Sequence, residues 1–391
     1  MDRRTFLSGT AAALAVMAAP PARSRRIARI VLPLPLTGPQ AVLGRMLHGT
    51  ALAAVDAANR AGLGGHAAVA VQVEDTRSDP SRFEMLVRQF ATGDGRPAAV
   101  FGCCPDDLRP GLGAWLDSVD GVLWDPQGYE GGECSAGIVH FGPTPYQSLS
   151  QALPFLAAEV GRRFLVVGGD GPRAAGLARV ARWAVGRMDA ELVGEGNAEN
   201  RLAWLGRARR ERVDVIVCTL EGAALAAYLQ AYAAARLDPL NIPMLCPAMT
   251  ELEVAQAGPA LAAGHVSCQP YFAGWRSLGN DRFLAALRPR LGGVRPTALA
   301  EALWGQVLVF AAAVSRLDGL DLHPVLVREA ARGGETLMPQ GRVKLDEDSL
   351  HPRLWPKVAV ASEDGDFKVI ARARQAVAPL PFWGLGTTCT A

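Results

Sequence analysis

The sequence lacks a strong excess of charge of either sign. Its 391 residues carry 40 Lys and Arg against 38 Asp and Glu, which gives a formal net charge of +2. A nearly neutral chain has little electrostatic attraction to nucleic acid or to an anionic lipid surface. We therefore expect no nucleic-acid partner and no electrostatically bound membrane.

The sequence also lacks the cysteine and histidine spacings of a disulfide scaffold or a metal site. Its seven cysteines include no C-x-x-C pair, and its six histidines are scattered, so we expect no metal and no cofactor. A disulfide from Cys103 or Cys104 to Cys134 stays open as an alternative to reduced thiols. Three other cysteines each end an apolar run and are expected to be small buried residues: Cys218, Cys246 and Cys268.

Motifs of catalysis are missing as well. The sequence contains no P-loop and no G-x-S-x-G motif. One glycine-rich turn, Gly169-Asp-Gly171-Pro172, follows an apolar run and superficially resembles a dinucleotide fingerprint. Pro172 would remove one of the N–H groups that such a turn offers to phosphate. We expect no enzyme, with a nucleotide-dependent oxidoreductase as the remote alternative.

The N-terminus, in contrast, carries a recognisable signal. Arg3 and Arg4 are followed by Phe6-Leu7, by an apolar run over residues 11–19 and by small residues at Ala22 and Ser24. This is the pattern of a twin-arginine export signal over residues 1–24. The run is about half the roughly 20 residues that span a bilayer, so a membrane anchor is the weaker alternative. We expect no later segment to span a membrane, and we predict export to the periplasm in a folded state.

The rest of the chain alternates short apolar runs with amphipathic segments, which predicts an α/β fold with parallel sheets. The alternation restarts after the Pro-rich stretch at residues 142–147, and helices return after residue 271. Three crossings near residues 143, 271 and 337 predict two doubly wound lobes joined by a three-segment hinge. Lobe 1 would hold residues 25–143 and 272–336, lobe 2 residues 144–271 and 337–378, and a tail residues 379–391. Two consecutive domains with a helical tail are the alternative.

Polar residues follow the predicted strands of both lobes. In open parallel sheets, ligands bind at the carboxyl ends of strands. The segments at these positions begin at Gly102, Asp125, Gly169, Thr219 and Pro247. We therefore expect the binding residues to come from these five loops.

Several of these loops carry a family resemblance. The runs G-C-C-P-D-D-L-R-P, L-W-D-P-Q-G-Y-E-G-G-E and I-V-H-F-G-P-T-P-Y-Q look like those of amide- and urea-type ligand-binding proteins. The resemblance continues through D-V-I-V-C-T-L-E-G, Q-P-Y-F and M-P-Q-G-R-V-K-L-D and covers almost the whole chain after residue 24. These relatives are type I periplasmic binding proteins of ABC importers, and they include the amide-sensing regulator of the aliphatic amidase operon.

The resemblance implies a two-lobed protein that binds a small ligand in its cleft, without catalysis. It implies an ABC permease and ATPase as partners and a monomer or weak dimer. By position, the family's ligand contacts would be Cys104, Asp106, Asp125 and Gln127, with Tyr129 beside them. The other loops and the crossings add further candidates: Tyr146, Asp170, Thr219, Thr250 and Tyr271.

The chain departs from the family pattern where the ligand is held. Asp125 stands where an aromatic residue is common, Asp106 where a small hydroxyl residue is common, and the aromatics that often follow Gly169-Asp170 are absent. Carboxylates accept hydrogen bonds from N–H donors. This predicts a small nitrogen-rich ligand, such as an amide, urea or a related compound. The alternative role for each aspartate is a helix N-cap, and the alternative role for the protein is a periplasmic sensor that presents its closed form to a membrane receptor.

Overall fold

The computed structural model describes residues 26–381 except 94, 133, 198 and 318–319. The predicted export signal and residues 382–391 of the predicted tail lie outside the described residues. The first half of lobe 1 consists of β1 (Arg26–Leu34), α1 (Ala41–Arg60), β2 (Ala67–Asp75), α2 (Pro80–Thr92), β3 (Ala99–Phe101), α3 (Arg109–Ser118), β4 (Leu123–Asp125) and β5 (Ile138–His140).

The chain then crosses into lobe 2, where the same alternation repeats. Its elements are α4 (Pro145–Leu149), α5 (Ala152–Glu159), β6 (Arg163–Gly168), α6 (Pro172–Arg187), β7 (Glu191–Asn197), α7 (Arg201–Arg210), β8 (Val215–Cys218), α8 (Gly222–Ala234), β9 (Met244–Leu245), α9 (Glu251–Ala257), α10 (Pro259–Ala262) and β10 (Val266–Gln269).

The C-terminal third returns to lobe 1 and finishes in lobe 2. It contains α11 (Leu278–Leu287), α12 (Ala298–Arg316), α13 (Pro324–Ala331), β11 (Glu335–Met338), β12 (Gly341–Leu345), β13 (Pro352–Arg353), β14 (Lys357–Ala361) and β15 (Phe367–Arg372).

The two large sheets share one strand order. Lobe 1 has the parallel order β2-β1-β3-β4-β5, and lobe 2 has β7-β6-β8-β9-β10 followed by the antiparallel pair β14 and β15. The predicted α/β fold with doubly wound parallel sheets is thus confirmed. In each sheet the order reverses beside the first strand, and a crevice opens there at the carboxyl ends of the strands.

Helices cover both faces of each sheet, and the strands are correspondingly apolar. Seven residues of β1, Ala28–Leu34, are all buried except Arg29. Such nearly continuous apolar runs are typical of parallel strands that are covered on both sides. α1 buries its Met46, Leu47, Ala51 and Ala54 face, and it packs against α12 in the core of lobe 1.

α12 corrects an expectation about membrane spans. Among the described residues, it is one helix whose length and mean hydropathy of 1.6 would suffice to cross a membrane. The sequence predicted no segment of this length and hydrophobicity. In the structure, 78% of the apolar window of α12 is buried inside the protein. Its hydrophobicity is therefore explained by its central place in the core of lobe 1.

The last crossing lies later in the chain than predicted. We placed it near residue 337, but β12 and β13 pair with β11 in a small antiparallel sheet. Val343, Leu345 and Leu354 belong to the same core as α12, so these residues pack with lobe 1. The chain enters lobe 2 only at residues 355–356, immediately before β14. The turn between β14 and β15 is formed by Asp364-Gly365, as predicted, with Gly365 at φ 79°.

The cysteines also differ in part from expectation. Cys218, Cys246 and Cys268 are buried, as predicted. Cys134 is disulfide-bonded, but neither Cys103 nor Cys104 is oxidised to a disulfide, so the bridge considered between them and Cys134 does not form. Cys104 is buried in an apolar cluster with α2 and α3, whereas Cys134 is exposed.

Candidate functional site

A cavity of about 420 Å³ lies between the lobes at the carboxyl ends of both parallel sheets. Lobe 1 supplies the loop after β4 and the first turns of α1 and α12, and lobe 2 supplies the first turns of α6, α8 and α9. The polar and charged side chains on its wall are Gln40, Gln127, Ser148, Arg173, Glu221, Thr250, Glu253, Gln269 and Thr297. The volume suits a small organic molecule.

Backbone N–H groups are concentrated around this cavity. Four helices, α1, α6, α8 and α12, begin at its wall. Within the described part of the chain, the residues that precede them make no side-chain cap bonds to their first turns. The uncapped N–H groups and the positive ends of the helix dipoles favour an electron-rich oxygen in the cavity.

Carboxylates of lobe 2 border the same space. Glu221 is the residue before α8, and Glu253 lies in the first turn of α9. Glu253 Oε2 accepts a hydrogen bond of 2.9 Å from the Thr250 N–H, as part of a capping box with the Thr250 hydroxyl. Burial raises the pKa of Glu253, and the bonds from Thr250 oppose this rise. The wall thus combines hydrogen-bond acceptors with the donors of the helix ends.

In lobe 1, the acidic side chains at the strand ends turn inward. The side chain of Arg109, at the start of α3, is fully buried and surrounded by carboxylates. It lies 3.2 Å from Asp106 Oδ1 and 3.1 Å from Asp125 Oδ2, it contacts Glu130, and it donates to the Cys104 carbonyl. Burial raises the pKa of Asp125 to about 6, although the Arg109 charge lowers it. Arg109 and these carboxylates form a buried ion network that holds the loops after β3 and β4 together.

The comparisons with known proteins agree with this architecture. Residues 29–387 match the model of a family described as periplasmic binding protein domain. The chain belongs to the periplasmic binding protein family.

Solved structures of this fold resemble the whole periplasmic binding protein domain. A solute-binding protein of an ABC transporter from Rhodopseudomonas palustris, in complex with 4-hydroxybenzoate, aligns with a TM-score of 0.79 at 17% identity, over 92% of this chain and 99% of that one. An ABC transporter substrate-binding protein from Sphaerobacter thermophilus gives 0.77 at 20% identity, over 91% and 100%.

A third structure is the branched-chain amino acid transporter substrate-binding protein of Streptococcus pneumoniae in complex with isoleucine. It aligns with a TM-score of 0.74 at 16% identity, over 89% of this chain and 99% of that one. At these identities the likeness shows the fold alone.

Three of the ten residues predicted to bind ligand line the cavity of this periplasmic binding protein: Gln127, Tyr129 and Thr250. Gln127 Nε2 donates to Asp106 Oδ1 at 3.1 Å, so Asp106 lies directly behind the wall. The ring of Tyr129 is buried and packs against His140 and His351, with centroid distances of 4.7 and 4.6 Å.

The structure places the other predicted residues away from the cavity wall. Cys104 and Asp125 are buried beneath it in lobe 1, and Thr219 is buried at the end of β8. Tyr146 lies beside Trp183, and Asp170 is exposed.

Tyr271 does not line the cavity either, because it lies in the core at the second crossing. Its hydroxyl donates to Asn280 Oδ1 at 3.0 Å, and its ring packs edge-on against Phe283. These contacts make Tyr271 part of the packing between the crossing and α11.

The charged residues of the wall were not among the predicted ligand contacts: Arg173, Glu221 and Glu253. Arg173 and Glu221 stand at the ends of two of the predicted loops, whereas the predicted loop that begins at Gly102 contributes no residue to the wall. The available signal was position: each lies at or next to the first turn of a helix whose N-terminus faces the cleft.

Among the described residues, no group of three or more His, Cys, Asp or Glu side chains could hold a metal ion.

Proposed function

We propose that this protein is the ligand-capturing receptor of an ABC importer and that it acts in the periplasm after twin-arginine export. The cavity between two hinged lobes supports this role, because a ligand that contacts both walls stabilises the closed form. The neighbours from Rhodopseudomonas palustris and Sphaerobacter thermophilus are binding proteins of ABC transporters, which favours import over the sensor alternative. No catalytic step is proposed.

For the ligand, we propose a small compound that carries N–H donors and a carbonyl oxygen, such as an amide or urea. The carboxylates of Glu221 and Glu253 would accept its N–H groups. The uncapped ends of the surrounding helices would donate to its oxygen. The single observation that carries this proposal is the meeting of both kinds of group around one cavity.

Calorimetric titration of the mature chain would test the ligand class. The panel would hold urea, acetamide, propionamide and guanidinium, with benzoate, 4-hydroxybenzoate and isoleucine as the compounds taken from the neighbours. We expect one-to-one binding of an amide or urea and a raised melting temperature at saturation. Binding of only benzoate, 4-hydroxybenzoate or isoleucine would overturn the amide class and keep the receptor role. If a compound bound but did not make the protein more compact, that result would argue against closure.

A further inference from the structure

One side chain crosses the inner end of the cleft. Arg173 is the second residue of α6 in lobe 2, and its Nε and Nη2 lie 2.7 and 2.8 Å from the two carboxylate oxygens of Glu221. The same Nε lies 3.7 Å from Asp106 Oδ2 of lobe 1. The guanidinium therefore bridges a carboxylate of its own lobe and a carboxylate of the opposite lobe.

The lobe 1 carboxylate of this bridge is held in place from behind. Asp106 Oδ1 accepts from Arg109 Nη1 at 3.2 Å and from Gln127 Nε2 at 3.1 Å. Arg109 is in turn fully buried in lobe 1. Asp106 therefore moves with lobe 1, so a rotation that opens the cleft must lengthen its distance to Arg173.

The space for the guanidinium depends on a glycine. A methyl group built on Gly128, in the loop after β4, would lie 2.6 Å from Arg173 Nη1. The backbone of Gly128 is not in the left-handed region, so its conformation does not require glycine. An added methyl group would instead force the end of the Arg173 side chain to shift, so the lobe 1 loop leaves space for the guanidinium in its present position.

The electrostatic surroundings strengthen the bridge. Burial lowers the pKa of Arg173, but the charges of Glu221 and Asp106 raise it above its usual value. The side chain is 24% exposed, so water screens these interactions less than at the open surface. The hydrogen bond that Arg173 Nη2 donates to Glu221 is charge-assisted, and such bonds are stronger than those between neutral groups.

We propose that Arg173 is an interlobe latch, a built-in cation that holds the cleft closed when no ligand is bound. This inference concerns the unliganded protein and does not depend on the proposed ligand class. Its consequence is that the unliganded protein is partly closed, and that weakening the latch makes it more open.

Small-angle scattering of the unliganded mature chain would test the latch. We expect the radius of gyration to increase in Arg173→Gln and to increase in Gly128→Ala, which displaces the guanidinium without removing a charge. Gly186→Ala is the matched glycine control, since it lies in α6 with no atom near its added methyl group. It should leave the radius unchanged.

A second interlobe ion pair gives a charge control. Arg295 of lobe 1 lies 3.3 Å from Asp366 of lobe 2, with side chains 45% and 34% exposed. Exposed pairs contribute little, so Arg295→Gln should shift the radius less than Arg173→Gln. Equal radii for wild type, Arg173→Gln and Gly128→Ala would overturn the latch, and if Arg173→Gln failed to fold, Gly128→Ala would decide alone.

Chemical rescue provides an independent readout. In Arg173→Ala, millimolar ethylguanidinium should restore the wild-type radius of gyration, because it can occupy the space between Glu221 and Asp106. Tetramethylammonium carries the same charge without N–H donors and should not restore it. Failure of ethylguanidinium to compact an opened variant would show that the side chain closes the cleft by packing rather than by its ion pairs, and would also overturn the proposal.

Discussion

The strand-end carboxylates of the two lobes have opposite orientations. In lobe 1, Asp106, Asp125 and Glu130 surround the buried Arg109. In lobe 2, Glu221 and Glu253 border the cavity. Acidic residues after the strands thus form mainly the framework in lobe 1, where Asp106 alone also lies near Arg173 of lobe 2, and they border the cavity in lobe 2. The deciding difference is the buried arginine at the start of α3.

This difference explains one departure from the family pattern. Asp125 stands where the amide- and urea-type proteins commonly carry an aromatic residue, which led us to predict a carboxylate that faces the ligand. The structure shows that Asp125 is fully buried and paired with Arg109. The substitution therefore comes with its own counter-ion, and it changes the support of the wall rather than the wall itself.

Removal of Arg109 has the largest expected effect, because it takes the central cation out of the lobe 1 framework. Arg109→Ala leaves Asp125 and Glu130 buried without their partner, and breaking a buried pair in this way costs about 3–5 kcal/mol. We expect a loss of that size in the free energy of unfolding, measured with urea. Arg342→Ala is the control, because it breaks an exposed ion pair with Glu335 and should cost about 1 kcal/mol or less. Similar losses in both variants would contradict a framework role for Arg109.

Stability measured as a function of pH would distinguish a core carboxyl group from a wall carboxyl group within α9 of lobe 2. Glu251 lies two residues before Glu253, but it is buried, accepts from the Ala273 N–H, and has a pKa that burial raises to about 8. A carboxyl group whose pKa is higher in the folded than in the unfolded state stabilises the fold fully at low pH. That contribution is lost as pH rises from the unfolded value of 4.5 to about 8.

We therefore expect the stability advantage of the wild type over Glu251→Gln to shrink between pH 5 and pH 8, where the buried carboxyl group of the wild type loses its contribution. The difference should amount to a few kcal/mol, since one pKa unit corresponds to about 1.4 kcal/mol. The exposed substitution Glu363→Gln should leave the slope as it is in the wild type. Parallel curves for Glu251→Gln and wild type would place the carboxyl group in water rather than in the core.

Local signals made much of the fold predictable. β1 is a continuous apolar run, α1 has one apolar face, and Asp364-Gly365 favours a tight turn, so each could be read from neighbouring residues. The last crossing could not, because β12 joins lobe 1 through pairing with β11 and packing beside α12. Those contacts form between segments distant in sequence.

The site was predictable to the level of loops and not of side chains. The rule that ligands bind at strand ends selected the segments that carry Gln127, Arg173, Glu221 and Thr250. Whether a carboxylate in such a segment faces the cavity depends on where the nearest guanidinium lies. Arg109 and Arg173 both follow strand-end loops, yet one is fully buried in lobe 1 and the other reaches across the cleft.

A charge-only substitution tests the wall side of the comparison. Glu253→Gln keeps the capping box with Thr250, since glutamine also serves at that position, so stability should change little. If Glu253 accepts ligand N–H groups, as proposed, loss of a charged hydrogen bond of about 1.5–3 kcal/mol should raise Kd about 10- to 150-fold. Titration with the ligand identified from the amide and urea panel would measure this. Asp170→Asn, at an exposed position off the wall, should keep the wild-type Kd, and an unchanged Kd in Glu253→Gln would remove that carboxylate from the ligand site.

Tyr271→Phe has the smallest expected effect, and it tests whether this aromatic residue supports the fold or contacts the ligand. Tyr271 was predicted to bind ligand, but its buried hydroxyl donates to Asn280 at 3.0 Å. Tyr271→Phe removes this single hydrogen bond, so the free energy of unfolding should fall by about 1 kcal/mol while Kd stays unchanged. Tyr146→Phe is the comparison, since Tyr146 lies beside Trp183 at 6.4 Å between ring centroids, outside the cavity. A higher Kd in Tyr271→Phe without a loss of stability would mean that the second crossing contacts the ligand directly. The division between framework and cavity wall would then have to change at the hinge.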